Sequence, residues 1–496
     1  MKGTELVDFE TIIGLEVHAQ LLTKSKMFCG CSAGYADALP NTHVCPVCLG
    51  MPGVLPVINR QAVEYTILTA LALNCTIPEY SKFDRKNYPY PDLMKGYQIS
   101  QYDAPLGNCG WLTVVANSHE RRVGITRVHL EEDVAKLVHQ GSPQGESYSL
   151  VDVNRAGVPL MEIVSEPDMR SPEEARQYLM KLRTILRYLG VSTGNMEEGS
   201  FRCDANISIR PATSRDLMAK VEVKNMNSFR AVYRALEYEA GRQRKVAEEG
   251  KRLIQETRGW VEGKGKTVSQ RSKEYAHDYR YFPEPDLPPL VLSKEWVEEI
   301  KSKLPELPEA KRGRFIADYK LSEYDAALLT DSKTMAEYFE DCLKTDEYGK
   351  LPHGKGAKEI SNWLQGEVSR IINVENMDIT AFRQRVSPER LVQLSVLNSQ
   401  AVINTATAKS VLEEMFKTGR GAADIIKKQG LAQISDTNRL EETVIQVIEA
   451  NAKAAADYKE GKEQSLKFMV GQVMRITKGR ADPRLVGELL KKKLEE

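Results

Sequence analysis

The sequence has no excess of charge of either sign, because 69 lysines and arginines balance 69 aspartates and glutamates. This balance excludes a chain held to nucleic acid by its overall charge, so any such contact must come from a local patch. The sequence also lacks an apolar run of about 18 residues, and its acidic start does not follow the basic-then-apolar plan of a signal peptide. We therefore expect a cytoplasmic protein without a membrane segment.

Cysteine is also scarce, with 8 residues among 496. Eight cysteines are too few for a disulfide scaffold in a chain of this length, so in a reducing compartment they are core residues or metal ligands. Apolar residues make up 42% and charged residues 28%, which is ordinary globular usage and argues against disorder. At roughly 100–200 residues per domain, the length predicts two to four domains.

The texture of the sequence changes near residue 290. Glycine, proline, tyrosine and short alternating apolar runs dominate before this point, and apolar residues at helical spacing dominate after it. Residues 281–289 contain four prolines, which continue neither a helix nor a central strand. We predict an α+β protein with three domains, namely a mostly antiparallel sheet domain over residues 1–292, an all-α helical domain over 293–400 and an α-helical tail domain over 401–496.

Two segments of the first domain alternate strictly between apolar and polar residues. They are Ile13–Leu21 and Phe201–Arg210, and Gly124–Asp133 and Val221–Lys224 are further candidates. Strict alternation is typical of strands with one buried and one polar face. We therefore predict an antiparallel sheet whose polar face is open to solvent or to a ligand.

One helix has clear start and stop signals. Ser171 is a predicted N-cap, Pro172 occupies the first helical position and Glu174 completes a capping box. Leucines and isoleucines at helical spacing follow, and Gly190 ends the pattern.

Four of the eight cysteines fall within twenty residues. Cys29 and Cys31 form one close pair, and Cys45 and Cys48 form a second. Four thiolates bind Zn²⁺ tetrahedrally and leave no open position, so the spacing favours a structural zinc site over four unligated cysteines. His43 is an alternative ligand that four thiols make unnecessary.

Acidic residues and histidines recur on the polar faces of several predicted strands. Carboxylates with an occasional imidazole suit Mg²⁺ or Mn²⁺ when such strands lie side by side. For a single residue, a solvated sheet face with cross-strand ion pairs is the simpler interpretation. For the set as a whole we favour a metal and nucleotide site, and its members are Glu16, His18, His129, Glu131, Glu132, Asp133, Asp204 and Glu222.

Nucleophilic hydrolase chemistry has no support in the sequence. Neither a G-x-S-x-G segment nor another triad signature occurs, so no residue is marked for releasing ammonia from glutamine.

The last hundred residues contain a basic segment without acids. Residues 464–480 carry Lys467, Arg475, Lys478 and Arg480 beside an apolar stripe. This pattern fits a nucleic-acid contact, and it fits an ordinary amphipathic helix equally well.

Ordered motifs along nearly the whole chain resemble the GatB family, one of the subunit families of the tRNA-dependent aspartyl/glutamyl amidotransferases. The similar segments are Phe9–His18, Lys82–Tyr88, Lys95–Gln101, His129–Asp133, Met196–Asn206, Glu222–Asn225, Asp278–Asp286 and Gly471–Arg480.

The resemblance implies a fold and a reaction. It implies a glutamine-synthetase-like catalytic cradle followed by helical and tail domains, in a ligase that forms carbon–nitrogen bonds with glutamine as the amide donor. ATP would phosphorylate the side-chain carboxylate of Glu on tRNA(Gln) or Asp on tRNA(Asn), and ammonia would displace the phosphate. Metal ions would offset the charge between ATP and the anionic side chain.

The resemblance also implies site residues. Glu16, His18, Glu132, Asp204 and Glu222 would hold Mg²⁺, with Glu131 as the alternative to its neighbour because a regular strand cannot point both the same way. On charge alone, the phosphate contacts of ATP would be Lys86, Arg202 and Lys224.

The implied partners are a separate amidase subunit that supplies ammonia, a small third subunit that completes a heterotrimer, and a misacylated tRNA held by the helical and tail domains. The competing hypothesis is a zinc-stabilised tRNA-binding protein without catalysis, suggested by the cysteines and the basic tail.

Overall fold

A computed structural model describes residues 8–141, 147–214, 216–272, 279–432, 437–459, 461–477 and 480–495. The chain divides into two compact units, Met1–Leu307 and Pro308–Glu496. The first unit mixes strands and helices around a large sheet, and the second is built from helices. This confirms the coarse prediction of sheet first and helices after. The three-domain division with bounds at 292 and 400 stays a prediction.

The first unit contains all the described strands and four α-helices. The strands are β1 (Phe9–Gln20), β2 (Tyr80–Ser81), β3 (Asp84–Asn87), β4 (Tyr97–Ser100), β5 (Gly107–Ala116), β6 (His119–Glu132), β7 (Lys136–Gly141), β8 (Ser147–Asp152), β9 (Pro159–Ser165), β10 (Phe201–Pro211), β11 (Val221–Lys224), β12 (Glu256–Val261), β13 (Lys266–Ser272), β14 (Phe282–Pro283) and β15 (Leu290–Val291). The helices are α1 (Arg60–Ala72), α2 (Pro172–Leu189), α3 (Phe229–Glu248) and α4 (Lys294–Ser302), with short 3₁₀ turns at Val153–Arg155 and Glu262–Lys264.

Eight strands form the main sheet in the order β13-β12-β11-β10-β1-β9-β6-β5. The β11–β12 pair is parallel, and the other neighbours in this sheet are antiparallel. The strands predicted from alternation are present as β1, β6, β10 and β11. Three short strands, β14-β3-β4, form a separate antiparallel sheet, and the remaining described pairs are β15-β2 and β7-β8.

The two faces of the main sheet have different environments. Ile13, Leu15 and Val17 of β1 are at most 1% exposed and belong to one hydrophobic cluster with side chains of α2 and α3, such as Leu182 and Leu236. Because side chains alternate along a strand, burying this face turns the polar residues of β1 to the opposite face. The apolar pattern thus determines where a site can form.

Helix α2 has the predicted bounds. The Ser171 hydroxyl accepts a hydrogen bond from the Glu174 backbone amide at 3.2 Å, and Gly190 ends the helix with a φ of 69° that favours glycine. The Glu174 carboxylate accepts its hydrogen bond from the amide of Arg170, one residue before the position that a capping box predicts.

The second unit has two hydrophobic clusters, one from Phe315 to Ile426 and one from Leu440 to Leu494. The boundary between the two clusters therefore falls between residues 426 and 440, whereas the predicted tail domain starts at residue 401. The helices are α5 (Pro308–Tyr319), α6 (Glu323–Thr330), α7 (Lys333–Leu343), α8 (Gly356–Trp363), α9 (Ser369–Val374), α10 (Ile379–Arg385), α11 (Pro388–Ser399), α12 (Thr405–Thr418), α13 (Ala422–Gln429), α14 (Thr437–Ala450), α15 (Ala452–Lys459), α16 (Glu463–Ile476) and α17 (Pro483–Glu495), with a π-helical turn at Leu364–Val368 and a 3₁₀ turn at Asp346–Lys350. Across the described part of the chain, no helix combines the length and apolar character needed to cross a membrane.

A close approach between β5 and the end of α1 gives a test of this packing. A Cβ added at Gly110 would lie 2.3 Å from the Cys75 sulfur and 2.6 Å from the Leu73 carbonyl oxygen. We expect Gly110→Ala to destabilise the first unit by about 1–3 kcal/mol, because the added methyl group would force the backbone at Leu73 and Cys75 to move. Gly241→Ala in α3 is the control, because nothing lies within 4 Å of its added Cβ. Thermal unfolding checks both variants, and an unchanged midpoint for Gly110→Ala would contradict the described packing.

Candidate functional site

A cavity of about 840 Å³ opens over the polar face of the main sheet. Strands β1, β6, β9, β10 and β11 supply its floor, and the three-stranded sheet β14-β3-β4 supplies part of its wall. Most of the residues predicted for the metal and phosphate sites line it. They are Glu16, His18, Lys86, His129, Glu131, Asp133, Arg202, Asp204, Glu222 and Lys224.

The strand register brings an alternating row of charges and imidazoles together. His18 on β1 lies opposite Arg202 of β10 on one side and opposite Glu162 of β9 on the other, and Glu162 lies opposite His129 of β6. The His18 Nε2 atom is 3.3 Å from a carboxylate oxygen of Glu162 and 3.5 Å from one of Glu131. Two carboxylates therefore converge on one imidazole.

Glu162 was missed in the sequence because β9 does not alternate. Its sequence, PLMEIVS, has Glu162 among apolar residues, and the strand is almost wholly buried. A single carboxylate within a continuous apolar strand is the signal that was available, because burying a charge without a partner is costly. The structure supplies the partners, since His129 Nε2 is 3.4 Å and His18 Nε2 is 3.3 Å from the same carboxylate oxygen.

The close approach of these side chains shifts the pKa values of Glu162 and His18. Burial raises the pKa of Glu162, but the imidazoles of His129 and His18 outweigh burial and hold that pKa well below its usual range. Burial lowers the pKa of His18, while the carboxylates of Glu162 and Glu131 oppose it and raise the pKa to about 9. The site therefore demands positive charge between the two carboxylates, which a proton on His18 or a divalent cation supplies.

The donor set fits a divalent metal ion. One ligand atom from each of His18, Glu131 and Glu162 lies within 4.8 Å of the others. Two carboxylates with an imidazole suit Mg²⁺ or Mn²⁺. In addition, the Nδ1 atom of His129, which lines the cavity, is buried without a hydrogen-bond partner among the described residues. Unpaired buried polar atoms beside a cavity are expected where a polar ligand completes them.

A second acidic group lies on β1, β10 and β11. Asp204 lies opposite Glu16 in the sheet register, and Asn206 donates to the Glu16 carboxylate at 2.8 Å. Lys224 lies 2.5 Å from Asp204 and 3.3 Å from Glu222, so its ammonium neutralises these two carboxylates. Lys224 was predicted to contact phosphate. In the structure its ammonium is paired with two carboxylates.

Glu132, one of the predicted metal ligands, does not line the cavity. Its carboxylate forms an ion pair with Lys95 and accepts a hydrogen bond from the Ile99 amide at 3.0 Å. The pleat of β6 runs regularly through these residues, so Glu131 and Glu132 point to opposite faces. Glu131, the alternative at this position, is the residue that lines the cavity.

The other predicted phosphate contacts have different surroundings. The Arg202 guanidinium lies 2.8 Å from the buried carboxylate of Asp133, and the Lys86 ammonium lies 5.0 Å from the ring centre of Tyr279. Arg127 also lines the cavity and was not predicted. Its position on β6, two residues before His129 and on the same face, was the available signal.

The four clustered cysteines come together in space. The sulfur atoms of Cys29, Cys31, Cys45 and Cys48 all lie within 4.8 Å of one another, and His43 is not part of this group. The Cys45 amide donates to the Cys48 sulfur at 3.1 Å. Four thiols at this spacing fit a tetrahedral zinc ion.

A buried lysine beside the cysteines strengthens this fit. Lys26 is 1% exposed, and its ammonium donates to the backbone carbonyls of His43 at 2.8 Å and Val153 at 3.4 Å. Hydrogen bonding from Cys29 and the Cys45 amide, together with the charge of Lys26, lowers the pKa of Cys48. Hydrogen bonding to Cys48 and burial raise the pKa of Cys29, and burial raises that of Cys31, so Cys48 is the member whose thiolate supplies the negative charge that a buried ammonium needs.

Residues 464–476 of the basic segment lie in the amphipathic helix α16. Its predicted apolar stripe faces the hydrophobic cluster of residues 440–494, and Lys467 and Arg475 are exposed. Arg480 donates to the carbonyls of Gly430 at 3.0 Å and Thr477 at 3.1 Å, so part of its hydrogen-bonding capacity is used within the protein. Lys478 lies outside the described residues.

The fold and the site define a protein with two parts. The first is an α/β unit with a large charged cavity, and the second is a helical unit with a basic helix. Residues 11–298 match the family model described as the GatB/GatE catalytic domain, and residues 338–494 match the model described as the GatB domain. The chain belongs to the GatB family.

Full-length relatives belong to the same family. The chain is 63% identical to the GatB subunit of the aspartyl/glutamyl-tRNA(Asn/Gln) amidotransferase of Dehalococcoides mccartyi strain CBDB1, over 99% of this chain and 100% of the relative. The subunits of the same name from Thermodesulfovibrio yellowstonii and Carboxydothermus hydrogenoformans are 54% and 52% identical over at least 98% of each chain. The resemblance recognised from the motifs is confirmed.

Metal binding at His18 has a testable pH dependence. The imidazole must lose its proton to bind a metal ion, and its pKa is raised to about 9. We expect Mn²⁺ affinity to increase by about tenfold per pH unit from pH 6.5 to 8.5, because the competing proton leaves, and to level off above pH 9. Equilibrium titration with Mn²⁺ measures this trend. His18→Gln should flatten it, and a flat profile in the unsubstituted protein would exclude His18 as a ligand.

Replacing Lys26 tests the charge balance of the cysteine cluster. Lys26→Met keeps the length of the side chain and removes the positive charge, so zinc should leave about 10–100-fold faster in the presence of a chromogenic chelator. The exposed Lys24 is the matched control, and Lys24→Met should release zinc at the original rate. Equal release rates from all three proteins would show that Lys26 does not stabilise the cluster.

Proposed function

We propose that this protein is the amide-forming subunit of a tRNA-dependent aspartyl/glutamyl amidotransferase, a ligase that uses glutamine as amide donor. The full-length relatives bear the name of this enzyme, which includes both aspartyl and glutamyl and both tRNA(Asn) and tRNA(Gln). The substrates would be Glu-tRNA(Gln), Asp-tRNA(Asn) or both. The observation that carries the proposal is the convergence of His18, Glu131 and Glu162 inside a cavity that lysine and arginine side chains also line.

The proposed reaction has two steps. An oxygen of the substrate's side-chain carboxylate attacks the γ-phosphorus of ATP, a new oxygen–phosphorus bond forms and ADP leaves. Ammonia then attacks the acyl carbon, a carbon–nitrogen bond forms, phosphate leaves and a proton is released. Phosphorylation is needed because a carboxylate oxygen is a poor leaving group, whereas phosphate is a good one.

The cavity residues have distinct tasks in this proposal. His18, Glu131 and Glu162 would hold a divalent ion, and Glu16, Asp204 and Glu222, which line the same cavity, are further candidate ligands. When bound, Mg²⁺ supplies charge neutralisation between the phosphates and the acceptor carboxylate.

The lysine and arginine side chains of the cavity balance the charge of its carboxylates. Lys86, Arg127 and Arg202 line the same cavity and would contact phosphate oxygens. Lys224 already neutralises two acids, so we assign it to holding Asp204 and Glu222 in place. Positive and negative groups in one cavity suit a reaction between two anionic substrates.

The other parts of the chain have supporting roles. The sheet unit would have the glutamine-synthetase-like architecture of the family's catalytic cradle, and the cysteine cluster would bind a structural zinc ion. Ammonia would come from a separate amidase subunit, and a small third subunit would complete a heterotrimer. The exposed Lys467 and Arg475 of α16 would contribute to binding the tRNA.

The experiment measures amide formation by the protein purified with its amidase partner. With ATP and glutamine it should convert Glu-tRNA(Gln) to Gln-tRNA(Gln) or Asp-tRNA(Asn) to Asn-tRNA(Asn), and ammonium chloride should replace glutamine. Glu162→Gln should lower the rate by roughly 100-fold or more, since a metal-holding carboxylate stabilises charge in the transition state.

The control is Glu166→Gln, which changes an exposed carboxylate just after β9 and outside the cavity lining. It should retain full activity. The competing hypothesis of a zinc-stabilised tRNA-binding protein predicts tRNA binding that is indifferent to ATP and no tRNA-stimulated ATP hydrolysis. Full activity in Glu162→Gln would overturn the site assignment, and absence of ATP-dependent amide formation would overturn the proposed function.

A further inference from the structure

Four tyrosines gather at one side of the cavity, and we call them the aromatic rim. They are Tyr88, Tyr102, Tyr279 and Tyr281, and all four line the cavity. The three-stranded sheet β14-β3-β4 brings them together. Tyr88 directly follows β3, Tyr102 comes two residues after β4, and the other two shortly precede β14.

The rings of the aromatic rim contact one another in a defined geometry. Tyr102 and Tyr281 stack with ring centres 4.2 Å apart and planes inclined by 10°. Tyr279 meets Tyr281 edge to face at 6.0 Å and Tyr88 at 5.6 Å. Tyr102 is 56% exposed, so much of this outer ring is accessible. The rim therefore presents the outer face of the Tyr102 ring, backed by Tyr281, at the edge of a polar cavity.

The aromatic rim is separate from the hydrophobic core. None of its four tyrosines belongs to the hydrophobic clusters formed by the described residues. Large aromatic surface outside a core and beside a cavity is a common feature of ligand sites. Burial, helped by the carboxylates of Glu162 and Glu131 and opposed by Lys86, raises the pKa of Tyr281 to about 12. Its ring therefore stays neutral and does not repel an anionic ligand at physiological pH.

Lys86 connects the aromatic rim with the charged part of the cavity. Its ammonium lies 5.0 Å from the ring centre of Tyr279 and 5.8 Å from that of Tyr88. The carboxylates of Glu131 and Glu162 raise the pKa of Lys86 despite its burial, so the side chain stays charged. An exposed aromatic ring, a cationic side chain and a metal-binding set in one cavity offer contacts for the base, the phosphates and the metal ion of a nucleotide.

From this juxtaposition we propose that the aromatic rim is a base-binding platform that stacks an adenine ring, with Tyr102 and Tyr281 as its central pair. The proposal rests on the proposed function, whose two large substrates each carry an adenine. One is the adenine of ATP, and the other is the terminal adenosine to which the amino acid of a charged tRNA is attached. Stacking on tyrosine has the same chemistry in both cases.

The test compares ligands with and without the base. Tyr102→Ala, in the complete chain purified with its amidase partner, should weaken Mg²⁺-ATP binding by about 5–100-fold if ATP is the source of the adenine. Binding of inorganic triphosphate should not change, because it has no ring to stack. Titration calorimetry measures both affinities.

The second arm uses RNA. If the terminal adenosine of the tRNA stacks on the rim, Tyr102→Ala should weaken binding of an RNA hairpin ending in CCA by a similar factor. Binding of the same hairpin ending in CC should stay the same. A loss in one arm identifies the source of the adenine, and losses in both arms show that the platform serves both ligands.

Three further variants separate stacking from structural damage. Tyr102→Phe and Tyr281→Phe keep the rings and should retain affinity, so recovery by these variants supports stacking. Tyr90→Ala is the matched control, since Tyr90 is also 56% exposed but lies outside the cavity lining. It should bind every ligand normally.

Two outcomes would overturn the platform. The first is unchanged affinity for both adenine-bearing ligands in Tyr102→Ala, and the second is an equal loss for ligands with and without the base. Should Tyr102→Ala fail to fold, Tyr102→Leu keeps the bulk without the ring and gives the same comparison. A wild-type complex that forms no amide would contradict the proposed function instead, so the two failures are distinguishable.

Discussion

The position of two carboxylates around one imidazole is the constraint on which the rest of the site depends. Glu131 and Glu162 both lie within 3.5 Å of His18, in a part of the sheet from which water is largely excluded. Two buried negative charges at this distance repel each other unless positive charge lies between them. Every proposed task of the cavity follows from that need for a cation.

The fold satisfies this constraint through strand register. Antiparallel pairing of β1 with β9 and β10, and of β6 with β9, places one ionisable residue of each strand in a single row. Helices α2 and α3 cover the apolar face of the same strands, so the row faces the cavity. A one-residue slip of β9 would turn Glu162 into the core, because successive side chains alternate between faces.

The cysteine cluster and the aromatic rim lie in different places and have different proposed tasks. The cysteines and Lys26 balance one another's charge away from the cavity lining, which is consistent with a structural role. The rim lies at the cavity edge, where flat apolar rings adjoin Lys86. One part of the unit thus stabilises the chain, and another would orient a ligand.

The sequence by itself determined the strands of β1, β10 and β11, the bounds of α2, the cysteine cluster and the family, because each depends on local periodicity, capping chemistry, spacing or ordered motifs. It also supplied most of the charged and histidine residues that line the cavity, such as His18 and Asp204. Only the tertiary structure decided between Glu131 and Glu132, since the choice depends on which face of β6 is covered by other elements. It alone revealed Glu162, whose strand is apolar on both sides, and the aromatic rim, whose tyrosines are nearly two hundred residues apart in the chain. Contacts between distant segments have no local signature, so pairing and packing decide them.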